Sequence, residues 1–286
     1  EGGYTQICAD VEEIIIEKGR AVGVKLKDGT SYRSQNVVSA AGVMSTLKRL
    51  LPEDAGQAPW VGKALEGIRP APAHICLYIG FKGDIRKANA GSANKWFWST
   101  WNSEEREWDI SDPDNLKDCP ILYCSFPSLK DPLHDPGEEC RHTGEVVTFV
   151  PWNAFSEWSG TKWRKRGGNY PDLKEKIEKH ILDQFLRNMP ELKDMVDYVE
   201  LSTPLSTEYF CRPMDGSIYG IEPTPERFAN PWIRPNPPVS GLYFSGSEVA
   251  SVGVIGAMMG GVLAAAAAEP VNAMRFLRTH SQRKRG

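Results

Sequence analysis

Residues 241–268 read GLYFSGSEVASVGVIGAMMGGVLAAAAA, and this stretch constrains the fold more than any other. A short apolar strand, Leu242-Tyr243-Phe244, runs into a turn of small residues, Ser245-Gly246-Ser247-Glu248. A loop follows, and a helix opens at 253–256 built almost wholly from Gly, Ala and Met. The free N–H groups of a helix N-terminus favour electron-rich oxygen. A backbone this poor in side-chain bulk can be touched directly. Two readings stand side by side: a backbone laid against a flat ligand, or a small-residue helix packed tightly on a sheet.

The other end of the chain reads as β structure. Residues 4–8, 11–17, 20–27 and 31–33 are apolar and β-branched, with turn signals at Lys18-Gly19 and Asp28-Gly29, so 4–33 is expected to form a β-meander. Residues 35–40 predict a short buried strand of parallel-sheet type, followed by a helix from Gly42 to about Leu51 that Pro52 stops. Residues 53–72 read as a loop. Strands are expected at 74–83, 121–126, 146–152 and 196–201, which together suggest a mixed or antiparallel sheet. The clearest amphipathic helix is 172–189, with Leu173, Ile177, Ile181, Leu182 and Phe185 on one face. Residues 203–228 read as turn-rich. The basic end, RFLRTHSQRKR from Arg275 to Arg285, reads as a solvated tail, with a membrane-surface role as the weaker alternative.

Composition narrows the class. A chain of 286 residues with 41% hydrophobic and 25% charged residues can bury a sizeable core, which disfavours disorder. A net charge of −3 argues against a general nucleic-acid binder. The apolar run 252–268 is slightly short for a bilayer span. The six cysteines form no CxxC pair and the five histidines are scattered, so no metal site is expected; the thiols read as buried small hydrophobes.

The C-terminal segment resembles the FAD-contacting segment of the phytoene desaturase, carotenoid isomerase and retinol saturase group of flavoproteins. The resemblance extends to ADVEEIIIEKGRAVGVKLKDGTSYRSQNVVSAAG (9–42), SFPSLKDP (125–132), VPWNAFSEWSGTKWRKRG (150–167) and the 203–228 region, the last three looking most like retinol saturase. That group carries a strand–GxGxxG–helix unit for the FAD pyrophosphate, and no GxGxxG occurs here. The expectation is therefore the C-terminal part of a longer flavoprotein, its partner the missing N-terminal part of the same protein.

The resemblance implies an α/β chain: a partial FAD-binding Rossmann-like domain from 1–60 and 203–286, with an inserted β-rich (α+β) substrate domain at 61–202. It implies an FAD-dependent oxidoreductase acting on carbon–carbon bonds of a hydrophobic isoprenoid or polyene, as desaturase, saturase or isomerase. It carries Val11 to the adenine, and Gly246, Ser247, Glu248, Gly253, Val254, Ile255, Gly256 and Met258 to the cofactor. Trp152, Trp158, Tyr209 and Tyr219 are candidates for a substrate tunnel or for plain packing. Arg164, Lys165 and Arg166 read as a solvated turn. Localisation is expected to be cytoplasmic or at a membrane surface. The rival readings are an amine-oxidase-like flavoenzyme and a cofactor-free fragment or binding protein of the same fold.

Overall fold

The computed structural model describes residues 2–102 and 104–282. The chain divides into two compact units, one from 1–71 with 219–286 and the other from 72–218. The division thus falls at 71/72 and 218/219, rather than at 60/61 and 202/203.

The first unit opens without the strand expected at 4–8. Tyr4 and Ile7 are exposed there and pair with nothing. The meander follows as β1 (Val11–Glu17), β2 (Arg20–Leu26) and β3 (Ser31–Arg33), all antiparallel. Lys18 and Gly19 both take positive φ, 50° and 76°. That backbone matches the twist of a two-residue hairpin. At the next turn the Asp28 carboxylate accepts from the Thr30 N–H at 2.8 Å. Strand β4 (Val37–Ser39) then leads through Gly42 into α1 (Val43–Ser45), which continues as a wider π-type turn over Thr46–Leu50. The 53–72 region is not a plain loop: it holds α2 (Glu53–Gly56) and α3 (Pro59–Leu65), the latter begun by a proline whose fixed φ suits a first helical position.

The second unit is a five-stranded antiparallel sheet with one long helix. Its strands are β5 (Ala73–Lys82), β6 (Lys95–Trp98), β7 (Ile121–Ser125), β8 (Arg141–Val150) and β9 (Val196–Ser202), in the order β6-β7-β8-β5-β9. Central β5 buries Ile75, Leu77, Ile79 and Phe81 at alternate positions. Helix α4 (Tyr170–Asn188) supplies Leu173, Ile177, Ile181 and Phe185 to the same core, with Leu182 at its margin. The Gln184 side chain on α4 accepts from the Cys119 N–H at 2.8 Å and donates to the Cys119 carbonyl at 3.1 Å. This pair of bonds anchors the polar 99–120 segment, whose Trp108 is buried with its indole N–H on the Lys117 carbonyl. Trp96, Trp98 and Trp101 in the same region stay exposed. Helix α5 (Pro204–Cys211) follows β9.

The chain returns to the first unit through α6 (Pro225–Ala229), β10 (Leu242–Phe244), α7 (Gly253–Ala268) and α8 (Pro270–Gln282). Strand β10 pairs in parallel with β4, Leu242 opposite Val37 and Phe244 opposite Ser39, as two short strands that each feed a helix are expected to do. The expected solvated tail is helical as far as Gln282; the rest of the basic stretch lies outside the described residues. Three thiols, Cys76, Cys119 and Cys124, are buried as expected, while Cys8 and Cys211 are exposed. Burial pushes the thiols of Cys76 and Cys124 up to about 12, so both are inert at neutral pH. Among the described residues no helix is long and apolar enough to cross a membrane.

Truncating the buried face of α4 will test this core. Ile177→Ala is expected to lower unfolding stability by about 2–5 kcal/mol in a urea titration, whereas exposed Lys179→Ala should shift it by less than about 0.5 kcal/mol.

Candidate functional site

The turn after β10 carries a carboxylate into the interior. Glu248 is buried, and its Oε2 accepts from the Val43 N–H at 2.6 Å and the Met44 N–H at 3.4 Å. These are the first N–H groups of α1, which has no cap from its own Gly42. A residue 205 positions away therefore caps that helix. The slot for the carboxylate is made by absent side chains. A Cβ on Gly42 would lie 2.6 Å from Oε1, and one on Gly220 would overlap the same oxygen. Both glycines also sit at positive φ, 90° and 74°.

Two further groups complete the cluster. Arg227 on α6 is buried, and its guanidinium donates to the carbonyls of Ile221 and Ser247, each at 2.5 Å. The Thr46 hydroxyl donates to the Gly42 carbonyl at 2.6 Å, so the Ser39 hydroxyl donates to Thr46 Oγ1 at 2.7 Å. Burial holds the Glu248 carboxyl above the ordinary glutamate range, while the Val43 and Met44 N–H groups and the Arg227 charge pull it back down. Burial likewise lowers Arg227. Nothing in the sequence around Arg227 singles it out; its role needs Ser247 and Ile221 brought beside it by the fold.

The remaining expected cofactor residues separate into two kinds. Gly256, and with it Gly260, which is not among them, is small because the chain's own backbone lies on it. A Cβ at Gly256 would collide with the Ser251 carbonyl, and one at Gly260 with the Gly246 backbone. At Gly256 the Ser251 backbone by itself requires the absence of a Cβ. Gly253 differs: its φ is 84°, and a Cβ there would meet nothing within 4 Å. Val254, Ile255 and Met258, just beyond it, are 77%, 73% and 63% exposed. No side chain caps α7. The opening of α7 thus joins first-turn N–H groups that no side chain caps to an open apolar strip, the shape and polarity that suit a flat heterocycle with a hydrogen-bonding edge. Gly246 turns at φ 98° beside it in sequence, and Val11 is half-buried at the start of β1. The meander is tied to the approach to β10 by the Ala21 N–H on the Ser240 carbonyl at 2.8 Å.

The aromatic candidates disperse. Trp158 is in the core of the second unit, its indole N–H on the Gly167 carbonyl at 3.2 Å, and Trp152 packs over Gly216 of the same unit. Packing claims both. Tyr209 of the second unit and Tyr219 of the first are partly exposed. Among the described residues no group of three His, Cys, Asp or Glu side chains could hold a metal ion.

No family model matches the chain. It is 28% identical over 272 residues to all-trans-retinol 13,14-reductase of Danio rerio, covering 91% of this chain and 44% of that protein. It is 28% identical over 253 residues to the neurosporene-forming phytoene desaturase of Rhodobacter capsulatus, covering 86% and 45%. The chain thus spans less than half the length of these relatives. A solved oxidoreductase from Methanosarcina mazei shares its fold at a TM-score of 0.50 and 17% identity, over 87% of this chain and 47% of that one.

Substitutions at Glu248 and Gly220 probe the cap. The Glu248 carboxyl holds its proton more tightly folded than unfolded. Its contribution to stability is therefore fully present below the ordinary glutamate value of 4.5 and is lost as pH rises through the raised folded value. The stability of Glu248→Gln relative to the parent should accordingly increase between about pH 4 and about pH 7, read from urea midpoints. Gly220→Ala should destabilise by more than about 1 kcal/mol at either pH, because the methyl meets Oε1 at a φ that alanine disfavours. Along nearly its whole length the chain is a relative of the group of proteins that includes retinol 13,14-reductases, phytoene desaturases and prolycopene isomerases.

Proposed function

We propose that this chain is part of an FAD-dependent oxidoreductase, in which the first unit closes a Rossmann-like flavin domain and the inserted second unit is a substrate domain. The complete protein then moves hydrogen at a carbon–carbon bond of a hydrophobic isoprenoid or polyene. The observation that carries the cofactor assignment is the open, uncapped start of α7 beside an exposed apolar strip. The names of the relatives, a retinol reductase and a phytoene desaturase, support the substrate class.

In this reading the flavin, when bound, supplies the hydride chemistry, and the chain supplies position and polarity. The main-chain N–H groups at Gly253, Val254 and Ile255 hold the pyrimidine edge and favour negative charge there. Val254, Ile255 and Met258 exclude water from the ring. Val11 offers backbone to the adenine. Gly246 and Ser247 form the turn beneath, which Arg227 braces through the Ser247 carbonyl. Glu248 is a positioning residue, since its Oε2 is committed to the α1 N–H groups. The pyrophosphate is held by a strand–GxGxxG–helix unit outside this chain. Tyr219 and Tyr209 stay candidates for the substrate path.

The purified chain should therefore bind FAD weakly, because several charge-assisted hydrogen bonds of about 1.5–3 kcal/mol each are missing. Tight one-to-one quenching of flavin fluorescence by this chain would relocate the pyrophosphate site. In the complete protein, Val254→Glu should abolish flavin occupancy while changing stability by no more than about 0.5 kcal/mol, since the side chain is exposed. Turnover of a conjugated polyene by the flavin-loaded protein should shift the polyene's absorbance maximum. An unchanged spectrum with retinoid and carotenoid substrates alike would refute the substrate class.

A further inference from the structure

The second unit holds a cavity that neither the flavin reading nor the core packing uses. It measures about 290 Å³ and is bounded by Tyr78 on β5, Glu200 on β9, the 163–166 turn, Lys174 on α4 and Phe210 on α5. Three cations, Arg164, Arg166 and Lys174, line it against one carboxylate, Glu200. Among the described residues none of the three is in an ion pair. Glu200 is itself occupied, accepting from the Tyr198 hydroxyl at 2.8 Å.

Two of the three cations, Arg164 and Arg166, are held in place. The Arg166 guanidinium donates from Nη2 to the Leu205 carbonyl at 2.9 Å and lies 5.3 Å from the Tyr170 ring centre, while its buried Nε has no partner. Arg164 stacks 4.3 Å from the centre of the Trp163 ring. The turn read from sequence as simply solvated is therefore built against aromatic rings. At the rim, Trp163 and Phe210 meet edge to face at 5.4 Å, and they remain 38% and 62% exposed. An apolar rim left in water beside unpaired cations is complementary to a molecule with an anionic head and an apolar body.

We propose that this cavity binds the phosphate or carboxylate group of an amphiphile, with Arg164, Arg166 and Lys174 on the anion and Trp163 and Phe210 against the apolar part. The flavin assignment plays no part in this. The ligand source is either a soluble amphiphile or an anionic lipid in a bilayer, since both offer the same head chemistry.

Calorimetric titration of the full chain with dihexanoyl phosphatidic acid, a soluble short-chain phosphate, tests the site. Saturable one-to-one binding is expected, weakening as salt is raised. Inorganic phosphate should bind at least about tenfold more weakly, because it leaves the aromatic rim unused. Arg164→Gln/Lys174→Gln removes two cations that brace nothing in the core and should weaken binding by about tenfold or more. Lys193→Gln, on a surface elsewhere in the unit, should leave it unchanged. Flotation with phosphatidylcholine vesicles, with and without phosphatidic acid, then assigns the source. Recruitment to the anionic vesicles that the double variant loses identifies a bilayer lipid; binding of the soluble ligand alone identifies a free amphiphile. Binding by the double variant equal to the parent's, equal affinity for inorganic phosphate, or no saturable binding by the parent would overturn the proposal.

Discussion

The first unit depends on one buried carboxylate. Its two parts are far apart in sequence, and among the described residues the ladder that joins them is three residues of β4 against three of β10, beside single bridges at Arg20–Ser240 and Pro70–Ile221. A parallel pair that short is weak by itself. Glu248 strengthens it by satisfying the start of α1, which follows β4, from the turn that follows β10. Removing the capping oxygen would leave buried N–H groups without partners, a cost larger than the bond's own net worth. The glycines at 42 and 220 leave room for that carboxyl, and Arg227 braces the turn that carries it through the Ser247 carbonyl.

Much of the fold is legible in the sequence because periodicity reports burial. The meander turns at Lys18-Gly19 and Asp28-Gly29, the alternation of β5 and the apolar face of α4 are local patterns, and each forms where the pattern predicts. What local pattern misses is structure set by distant partners. Strand β8 begins at Arg141, five residues before its apolar run, because β5 offers a matching edge as far as Lys82. Residues 4–8 look like a strand but find no partner edge. The helices within 53–72 and 203–228 are short and proline-initiated, with little amphipathic signal.

The candidate site was legible in a different way. The stretch 241–268 announces close backbone approach, and the structure divides that closeness between two causes. Gly256 and Gly260 serve the chain's own packing against Ser251 and Gly246, whereas Gly253 faces open space. Spacing alone cannot separate these cases, since both require the absence of a Cβ. Arg227 and the Gly220 slot were illegible because each acts only through residues brought near by the fold.

The inserted unit also bears on how the chain reaches its structure. Its two ends are stitched together within the unit, where Ala73 bridges Ser217 and the Ile218 N–H donates to the Pro72 carbonyl at 3.2 Å. Once the five-stranded sheet has formed, the whole of 72–218 is a closed loop with adjacent ends. The search that joins β4 to β10 then runs over the short remaining segments, and the loop-closure entropy that a flexible insert would impose has already been met. A sequence of assembly follows in which the antiparallel unit forms early and the parallel pair, with its carboxylate latch, closes last. Slow steps in refolding would then belong to the first unit, and defects in the second would delay both.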